Sequence, residues 1–458
     1  MTISFGTDGW RAVIADGFTF DNVRLVSEAI AVAARGLEPP PGVDRDALAV
    51  GFDRRFLSRE FAQVVAETLR IAGYRVVLSN APTPSQTISF TAHHRRLLGG
   101  VVVTASHNPA RYNGLKFKAW YGGSALPETY AAIANALGQS DARDGGSVSE
   151  EDLLDDYVDA LRAQVRTHDL RILHDPIHGV AAGIPQRIAG NVTTIRGEVN
   201  PSFGGVNPEP IPENLGAARE AMQSGRFDLA ICNDGDADRL GILDARGNFV
   251  SPHKIISLLA LYLVREKKMS GDIVKTFSTT RLIEKVARAL GAGFHETPIG
   301  FKYVADLMLS RNILVGGEES GGIGFGHFLP ERDGILSGLL VAECVAHFGK
   351  PLHEIVRDME EEFGRLHYDR RDLHRPMDRC ARLIERVRAG ELDALLGGAV
   401  AAREETDGVK LNFADGSWIL FRKSGTEPMI RIYCESPDEG RVQSMLATAA
   451  RELDRASG

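Results

Sequence analysis

Apolar and polar positions along the first 370 residues follow two rhythms that predict strands and helices in turn. The segment ALAVGFD (47–53) is a nearly continuous apolar run and predicts a buried strand. Residues 59–73 carry apolar side chains three or four positions apart, which predicts an amphipathic helix ending at Gly73. The next strand is predicted over 74–79. This order predicts a largely parallel sheet with helices on both faces.

Interruptions of this rhythm divide the chain into parts. A polar stretch at 138–152 lacks apolar periodicity and is predicted to be a linker. A second α/β run begins near residue 170, and a third follows a hairpin-like segment at 240–250. After residue 368 the chain is basic with a helical pattern, and then predicts a β-hairpin turning at Asp415-Gly416. We therefore predict four domains, over residues 1–140, 151–250, 251–367 and 368–458.

Composition excludes some classes of protein. The length of 458 residues suits three or four domains. A net charge of -8 gives no general attraction to nucleic acid or to an anionic membrane. An anionic substrate would therefore need a local cationic pocket.

Cysteine usage and the N-terminal sequence bear on the compartment. The four cysteines are scattered without a CxxC pair, which argues against a disulfide framework or a zinc site and favours a reducing compartment. The N-terminus lacks the basic and apolar regions of a signal peptide. The longest apolar run, 255–264, is about half of the ~20 residues that a membrane span needs. We expect a cytoplasmic protein without a nucleic-acid or membrane partner.

Three apolar strands each end in a loop rich in glycine and polar residues. These segments are GGVVVTASHNP (99–109), DLAICNDGDADR (228–239) and NILVGGEESGG (312–322). In α/β sheets, ligands bind outside the carboxyl ends of the strands. Three such loops would suit one shared cleft.

The second loop carries Asp234, Asp236 and Asp238 at alternate positions. An extended backbone would present all three carboxylates on one side. Together they would repel each other without a cation, and hard divalent ions such as Mg²⁺ take oxygen ligands. An EF-hand is excluded because Arg239 and Ala245 stand where that motif needs Gly and Glu. The alternative is a solvated acidic turn.

The first loop places Ser106 at the end of a strand, among small residues. Such a serine can be a nucleophile, although no GxSxG motif surrounds it. It can equally be a helix-capping serine, with His107 and Asn108 as turn residues. Lys116 follows the predicted Asn113-Gly114 turn, and a solvated surface lysine is its default interpretation.

Two further segments suggest phosphate and sugar binding. FRKSGTEPMIR (421–431) follows a strand and is rich in residues that bind phosphate, but it is not a Walker A loop. The alternative is a polar hairpin loop. GGEESGGIGFG (316–326) lacks the context of a dinucleotide loop, and its acidic groups suit sugar hydroxyls better than a pyrophosphate. Its alternative is a turn with capping residues.

In this order along the chain, these segments resemble the α-D-phosphohexomutase superfamily, in its phosphoglucomutase/phosphomannomutase branch. The similar segments are FGTDGWR (5–11), TASHNP (104–109), DGDADR (234–239), GEESGG (317–322) and RKSGTEP (422–428). The resemblance implies three related α/β/α domains with mixed sheets and a smaller α+β domain around a central cleft. It implies a mutase that interconverts hexose 1-phosphate and hexose 6-phosphate, as a monomer or homodimer.

The resemblance also implies residue roles. Ser106 would carry the phosphoryl group, with Lys116 as general acid/base. Mg²⁺ would bind Asp234, Asp236, Asp238 and the phosphate on Ser106, and hexose 1,6-bisphosphate would be intermediate and activator. The remaining implied residues are Arg11, His107 and Arg239 around the phosphoserine; Glu318, Ser320 and Lys302 at the sugar; and Arg422, Ser424, Gly425, Thr426 and Arg431 at the phosphate that does not react.

Two departures from the family pattern bear on substrate and strain. The sugar loop ends in Gly322, where phosphoglucosamine mutases typically have GEQSGH, and this favours glucose phosphate with mannose phosphate open. Ala237 stands where Gly is common, a mild change unless the backbone needs a positive φ. The alternatives are a phosphoglucosamine mutase, a sugar-bisphosphate synthase, a Mg²⁺-dependent phosphatase and an idle sugar-phosphate-binding protein.

Overall fold

The first domain is built on an eight-stranded mixed sheet. The computed structural model describes residues 3–6, 8–166, 169–424 and 428–455. The strand order is β1-β2-β6-β5-β3-β4-β8, with β7 beside β6. The strands are β1 (Phe5–Gly6), β2 (Gly9–Val13), β3 (Asp44–Phe52), β4 (Arg75–Ser79), β5 (Leu97–Val103), β6 (Tyr112–Ala119), β7 (Gly123–Ser124) and β8 (Ser147–Glu151). The helices are α1 (Phe20–Arg35), α2 (Ser58–Ile71), α3 (Ser85–His94) and α4 (Pro127–Asn135).

The second domain has a five-stranded sheet in the order β10-β9-β11-β12-β13. Its strands are β9 (Ile172–Asp175), β10 (Val192–Thr194), β11 (Leu229–Asn233), β12 (Leu240–Asp244) and β13 (Phe249–Val250). Its helices are α5 (Leu154–Gln164), α6 (Gln186–Ala189) and α7 (Gly216–Met222). Strand β12 pairs antiparallel with β13, as the hairpin-like sequence at 240–250 predicts, and it also pairs antiparallel with β11.

The third domain shares one continuous apolar core with the second. Its sheet has the order β15-β14-β16-β17. The strands are β14 (Asp272–Thr276), β15 (Phe294–Thr297), β16 (Ile313–Gly317) and β17 (Ile323–Gly324). The helices are α8 (Pro252–Arg265), α9 (Leu282–Leu290), α10 (Phe301–Ser310), α11 (Gly334–Phe348) and α12 (Leu352–Phe363). No single helix of the described chain is long and apolar enough to cross a membrane; α11 and α12 meet those limits only as a pair bent by 83°.

The fourth domain is an antiparallel sheet with two helices on one face. The strand order is β18-β22-β21-β20-β19. The strands are β18 (His367–His374), β19 (Val400–Glu404), β20 (Val409–Phe413), β21 (Trp418–Lys423) and β22 (Met429–Ser436), and the helices are α13 (Met377–Arg388) and α14 (Glu439–Arg455). This domain has its own apolar core between sheet and helices.

Two segments differ from the sequence expectation. Part of the predicted linker forms the edge strand β8, which pairs with β4 through backbone hydrogen bonds while its side chains are largely exposed. An edge strand without a buried face has no apolar alternation to detect. The basic segment after residue 366 begins as strand β18 rather than as a helix, because β22 supplies its backbone partners.

Candidate active site

Ser106 lies just beyond β5, in a short turn rather than at the start of a helix. Its φ of +53° is in the left-handed region, which is uncommon for a serine. Thr104 Oγ1 accepts a hydrogen bond from the Ser106 amide at 2.9 Å. Ser106 is only 2% exposed. The fold therefore holds this hydroxyl in one strained and enclosed position.

The turn around Ser106 is held by a buried arginine. Arg55 donates to the backbone carbonyls of Ser106 and Asn108, each at 2.6 Å. It also forms an ion pair with Asp53 at 3.1 Å. Burial raises the pKa of Asp53, and the charge of Arg55 offsets this only in part.

The three aspartates of the second loop come together at the carboxyl end of β11. They lie on a tight turn and not on extended backbone, since Ala237 has a φ of +67°. One carboxylate oxygen from each of Asp234, Asp236 and Asp238 lies within 4.8 Å of the other two. The Ser106 hydroxyl donates to Asp234 Oδ2 at 2.9 Å. The positive φ also makes Ala237 a strained substitute for glycine.

The acidic triad fits a hard divalent cation. All three carboxylates are buried, and Oδ1 of Asp236 and Oδ1 of Asp238 accept no hydrogen bond from any described group. Burial, followed by the charges of Asp238 and Asp236, raises the pKa of Asp234 well above its ordinary value. A bound Mg²⁺ would relieve this repulsion and use the unpaired oxygens.

Lys116 is buried beside the triad and is not a surface lysine. Its side chain projects from β6, and its Nζ lies 2.9 Å from Asp236 and 3.0 Å from Asp8. Burial alone would lower the pKa of Lys116, but the carboxylates of Asp236, Asp8 and Asp238 outweigh it and raise that pKa. Lys116 is therefore protonated, which is the form of a general acid.

Three further predicted residues lie around the serine turn. His107 Nδ1 is 3.5 Å from the Ser106 hydroxyl, and its Nε2 is 3.4 Å from Arg239. Burial, together with the charges of Arg239 and Arg11, holds the pKa of His107 well below its usual value. Arg11 donates to Asn108 at 2.6 Å. The serine turn is therefore flanked by a neutral imidazole and two guanidinium groups.

The sugar loop begins directly after β16. Glu318 is 6% exposed, and burial raises its pKa to about 7 although the charge of Arg332 opposes the rise. Ser320 is half-buried. Lys302, on α10, is half-buried with its Nζ 4.9 Å from the centre of the Tyr303 ring. Its described contact is therefore with a neighbour and not with another predicted site residue.

The fourth domain presents two arginines on the sheet face opposite its helices. Arg422 and Arg431 are paired across β21 and β22. Arg422 donates to Asp407 at 2.9 Å, and Arg431 lies 3.6 Å from Asp372. The Ser424 amide donates to the Met429 carbonyl at 3.0 Å. Gly425 and Thr426 lie outside the described residues.

Comparison with known proteins decides the family. Models described as phosphoglucomutase/phosphomannomutase match the chain in four parts: α/β/α domain I over residues 2–144, domain II over 155–247, domain III over 251–363 and the C-terminal domain over 382–452. The chain belongs to the phosphoglucomutase/phosphomannomutase family. The predicted family, its four-domain fold and its class, an intramolecular phosphotransferase, are confirmed.

Relatives within this family cover nearly the whole chain. The phosphoglucomutase/phosphomannomutase of Thermococcus kodakarensis is 29% identical, over 99% of this chain and 98% of its own. The phosphoglucosamine mutase of Frankia alni is 31% identical, over 95% and 94%. A crystal structure described as a phosphomannomutase from Thermus thermophilus has a TM-score of 0.86 at 36% identity, over 99% of both chains.

Besides Arg332, four residues of the candidate site were not predicted from the sequence. Asp53 and Arg55 brace the serine turn, Asp8 pairs with Lys116, and the Ser85 hydroxyl donates to Asp236 Oδ2 at 2.6 Å. Asp8 lies within the FGTDGWR motif, and charged residues directly follow the apolar strand β3, so these positions did carry a local signal. Ser85, at the first turn of α3, carried none.

Proposed function

We propose that this chain interconverts hexose 1-phosphate and hexose 6-phosphate, with glucose preferred and mannose accepted, through a phosphoryl group carried on Ser106. The observation that supports this most directly is the 2.9 Å contact between the Ser106 hydroxyl and Asp234, beside Lys116 and the other two aspartates. A phosphoryl carrier, cation ligands and a proton donor then share one buried site.

The reaction in this proposal is a reversible double transfer. The phosphoryl group leaves Ser106 for the free hydroxyl of the bound hexose phosphate, and the other phosphate of the resulting hexose 1,6-bisphosphate returns to Ser106. The attacking hydroxyl loses a proton, and the Ser106 oxygen gains one as the phosphoryl group leaves it. Protonated Lys116 gives its proton to Ser106 and takes the proton of the hydroxyl in exchange; such acid–base catalysis contributes about 10²–10⁴-fold. Asp234, Asp236 and Asp238 would hold Mg²⁺, which would offset negative charge on the transferring group.

The remaining residues bind and orient in this proposal. Glu318 and Ser320 hold sugar hydroxyls in both orientations of the intermediate, with Lys302 as a further contact. Arg11, His107 and Arg239 steady the phosphoserine. The phosphate that does not react is held by Arg422, Ser424, Gly425, Thr426 and Arg431.

Glucosamine phosphate is the second candidate substrate. Relatives named phosphoglucosamine mutase match this chain as well as those named for glucose and mannose do. The sugar loop GEESGG favours glucose, since the GEQSGH pattern is typical of phosphoglucosamine mutases.

One coupled assay tests both parts of the proposal. Wild-type protein is given the 1-phosphates of glucose, mannose and glucosamine, with and without Mg²⁺ and hexose 1,6-bisphosphate. We expect glucose 1-phosphate to have the highest kcat/KM, and Ser106→Ala to lower turnover by several orders of magnitude. Ser140→Ala, on an exposed loop, is the matched control. Near wild-type turnover by Ser106→Ala would reject the phosphoserine. A preference for glucosamine 1-phosphate would reject glucose phosphate as the preferred substrate.

A further inference from the structure

Arg332 joins three parts of the site although it lies outside every predicted motif. It lies between β17 and α11, with its side chain 12% exposed. Its Nη2 is 3.0 Å from Asp8 and 2.7 Å from Asp238. Its Nη1 faces Glu318 of the sugar loop at 3.6 Å. One guanidinium therefore contacts Asp8, the acidic triad and the sugar loop.

The guanidinium of Arg332 is not fully paired within the described residues. Nε is buried and has no hydrogen-bond acceptor there, whereas the hydrogen bond to Asp8 is donated by Nη2. The distance of 3.6 Å from Nη1 to Glu318 is too long for a hydrogen bond. Buried donors ordinarily find an acceptor, so an oxygen supplied by a ligand would complete this arrangement.

Gly322 is the reason that Arg332 can occupy this position. A Cβ at residue 322 would lie 2.4 Å from Arg332 Cδ and 3.2 Å from Glu318 Oε2. A side chain at 322 and the observed position of Arg332 therefore exclude one another. The missing side chain at the end of the sugar loop leaves room for a guanidinium beside Glu318.

We propose that Arg332 is a substrate-binding residue that selects for one sugar hydroxyl. That hydroxyl accepts a hydrogen bond from Nη1 and donates one to Glu318, so that both partners are satisfied at once. A carboxylate and a guanidinium can recognise a hydroxyl in this way because a hydroxyl both donates and accepts. The inference rests on the proposed function, since the ligand is a hexose phosphate.

Calorimetric titration with glucose 1-phosphate and its 2-, 3- and 4-deoxy analogues tests the proposal, alongside kcat/KM for each. Wild-type protein should bind one of the analogues at least about tenfold more weakly than glucose 1-phosphate, because the missing oxygen leaves both groups unpaired. Arg332→Gln should bind that same analogue less than about threefold more weakly than it binds glucose 1-phosphate. Arg288→Gln, on the exposed face of α9, should behave as the wild type does.

A second variant keeps the test decisive if Arg332→Gln does not fold. Gly322→Ala displaces the Arg332 side chain without removing its charge, and it should weaken the discrimination against the same analogue. The role of Arg332 would be overturned if the wild type bound all three analogues with equal affinity. It would also be overturned if the folded variants discriminated against the same analogue as strongly as the wild type does. Failure of wild-type protein to bind or convert any hexose phosphate would instead reject the proposed function.

Discussion

Replacing Arg55 by methionine should loosen the serine turn more than any surface substitution. Arg55 donates to four backbone carbonyls, those of Ser106, Asn108, Pro109 and Tyr112, at 2.6 to 3.0 Å. Methionine keeps a flexible apolar side chain, but it is shorter than arginine and has no donor. The variant leaves these carbonyls without their donor and leaves a buried carboxylate without its counter-charge.

The magnitude follows from the burial of the ion pair. The side chains of Arg55 and Asp53 are both 0% exposed. Removing one partner of a buried pair typically costs about 3–5 kcal/mol, because the remaining charge is uncompensated. Asp53→Asn combined with Arg55→Met removes that charge, and it should recover part of the loss. Arg54→Met, which removes a single bond to the Gly197 carbonyl, should cost less than about 2 kcal/mol.

Hydrogen exchange over residues 104–112 is the suitable assay, since a protein of four domains has no single free energy of unfolding. At about 1.4 kcal/mol per tenfold change, exchange limited by opening of this turn should accelerate at least about 10²-fold in Arg55→Met. Turnover should fall with it, because Ser106 loses its fixed position. Exchange within about threefold of the wild type would refute the reasoning.

The same variant should respond to pH with a defined sign. Burial raises the pKa of Asp53 above its ordinary 3.8, and loss of Arg55 raises it further. A carboxyl whose pKa is raised by folding contributes stability below its ordinary pKa, and that stability is lost as the pH rises through the raised value. The exchange rate of Arg55→Met, taken relative to that of the wild type, should therefore fall as the pH is lowered toward the ordinary pKa of 3.8. Parallel profiles in the two proteins would show that Asp53 is not the source of the instability.

Three further outcomes are expected. Arg422→Ala should raise KM about 10- to 100-fold with a smaller effect on kcat, because a charged donor contributes about 1.5–3 kcal/mol. Arg371→Ala, on the opposite face of the sheet, should leave KM unchanged, and equal KM values in the two variants would count against the phosphate role. Ala237→Val should speed hydrogen exchange over residues 234–239 about 30-fold or more, which corresponds to about 2 kcal/mol, because a β-branched residue fits poorly at φ +67° in a buried turn. Ala237→Gly should be near neutral, and unchanged exchange in the valine variant would disprove the strain. Chelation of divalent cations should abolish turnover and added Mg²⁺ should restore it, and full activity after chelation would exclude the triad as a required metal site.

Local patterns predicted much of the fold because local side chains decide it. The strand predicted at 47–53 is observed as Asp44–Phe52, and the helix predicted at 59–73 as Ser58–Ile71. Each has a buried face, and a buried face produces a regular spacing of apolar residues in the sequence. Strand β8 lacks such a face, and strand β18 carries four consecutive charged residues at 369–372, so neither pattern indicated a strand.

The candidate site shows the same difference between what local sequence determines and what tertiary contacts determine. The sequence by itself determined which residue types follow each strand: a serine, three alternating acids, a glutamate loop and an arginine turn. Tertiary structure alone decided that Ser106 meets Asp234 across 128 positions, and that Lys116 and Arg332 bridge separate loops. Such contacts depend on how the sheets of different domains face one another. No local spacing encodes that arrangement, because it is set by packing between elements that lie far apart in the chain.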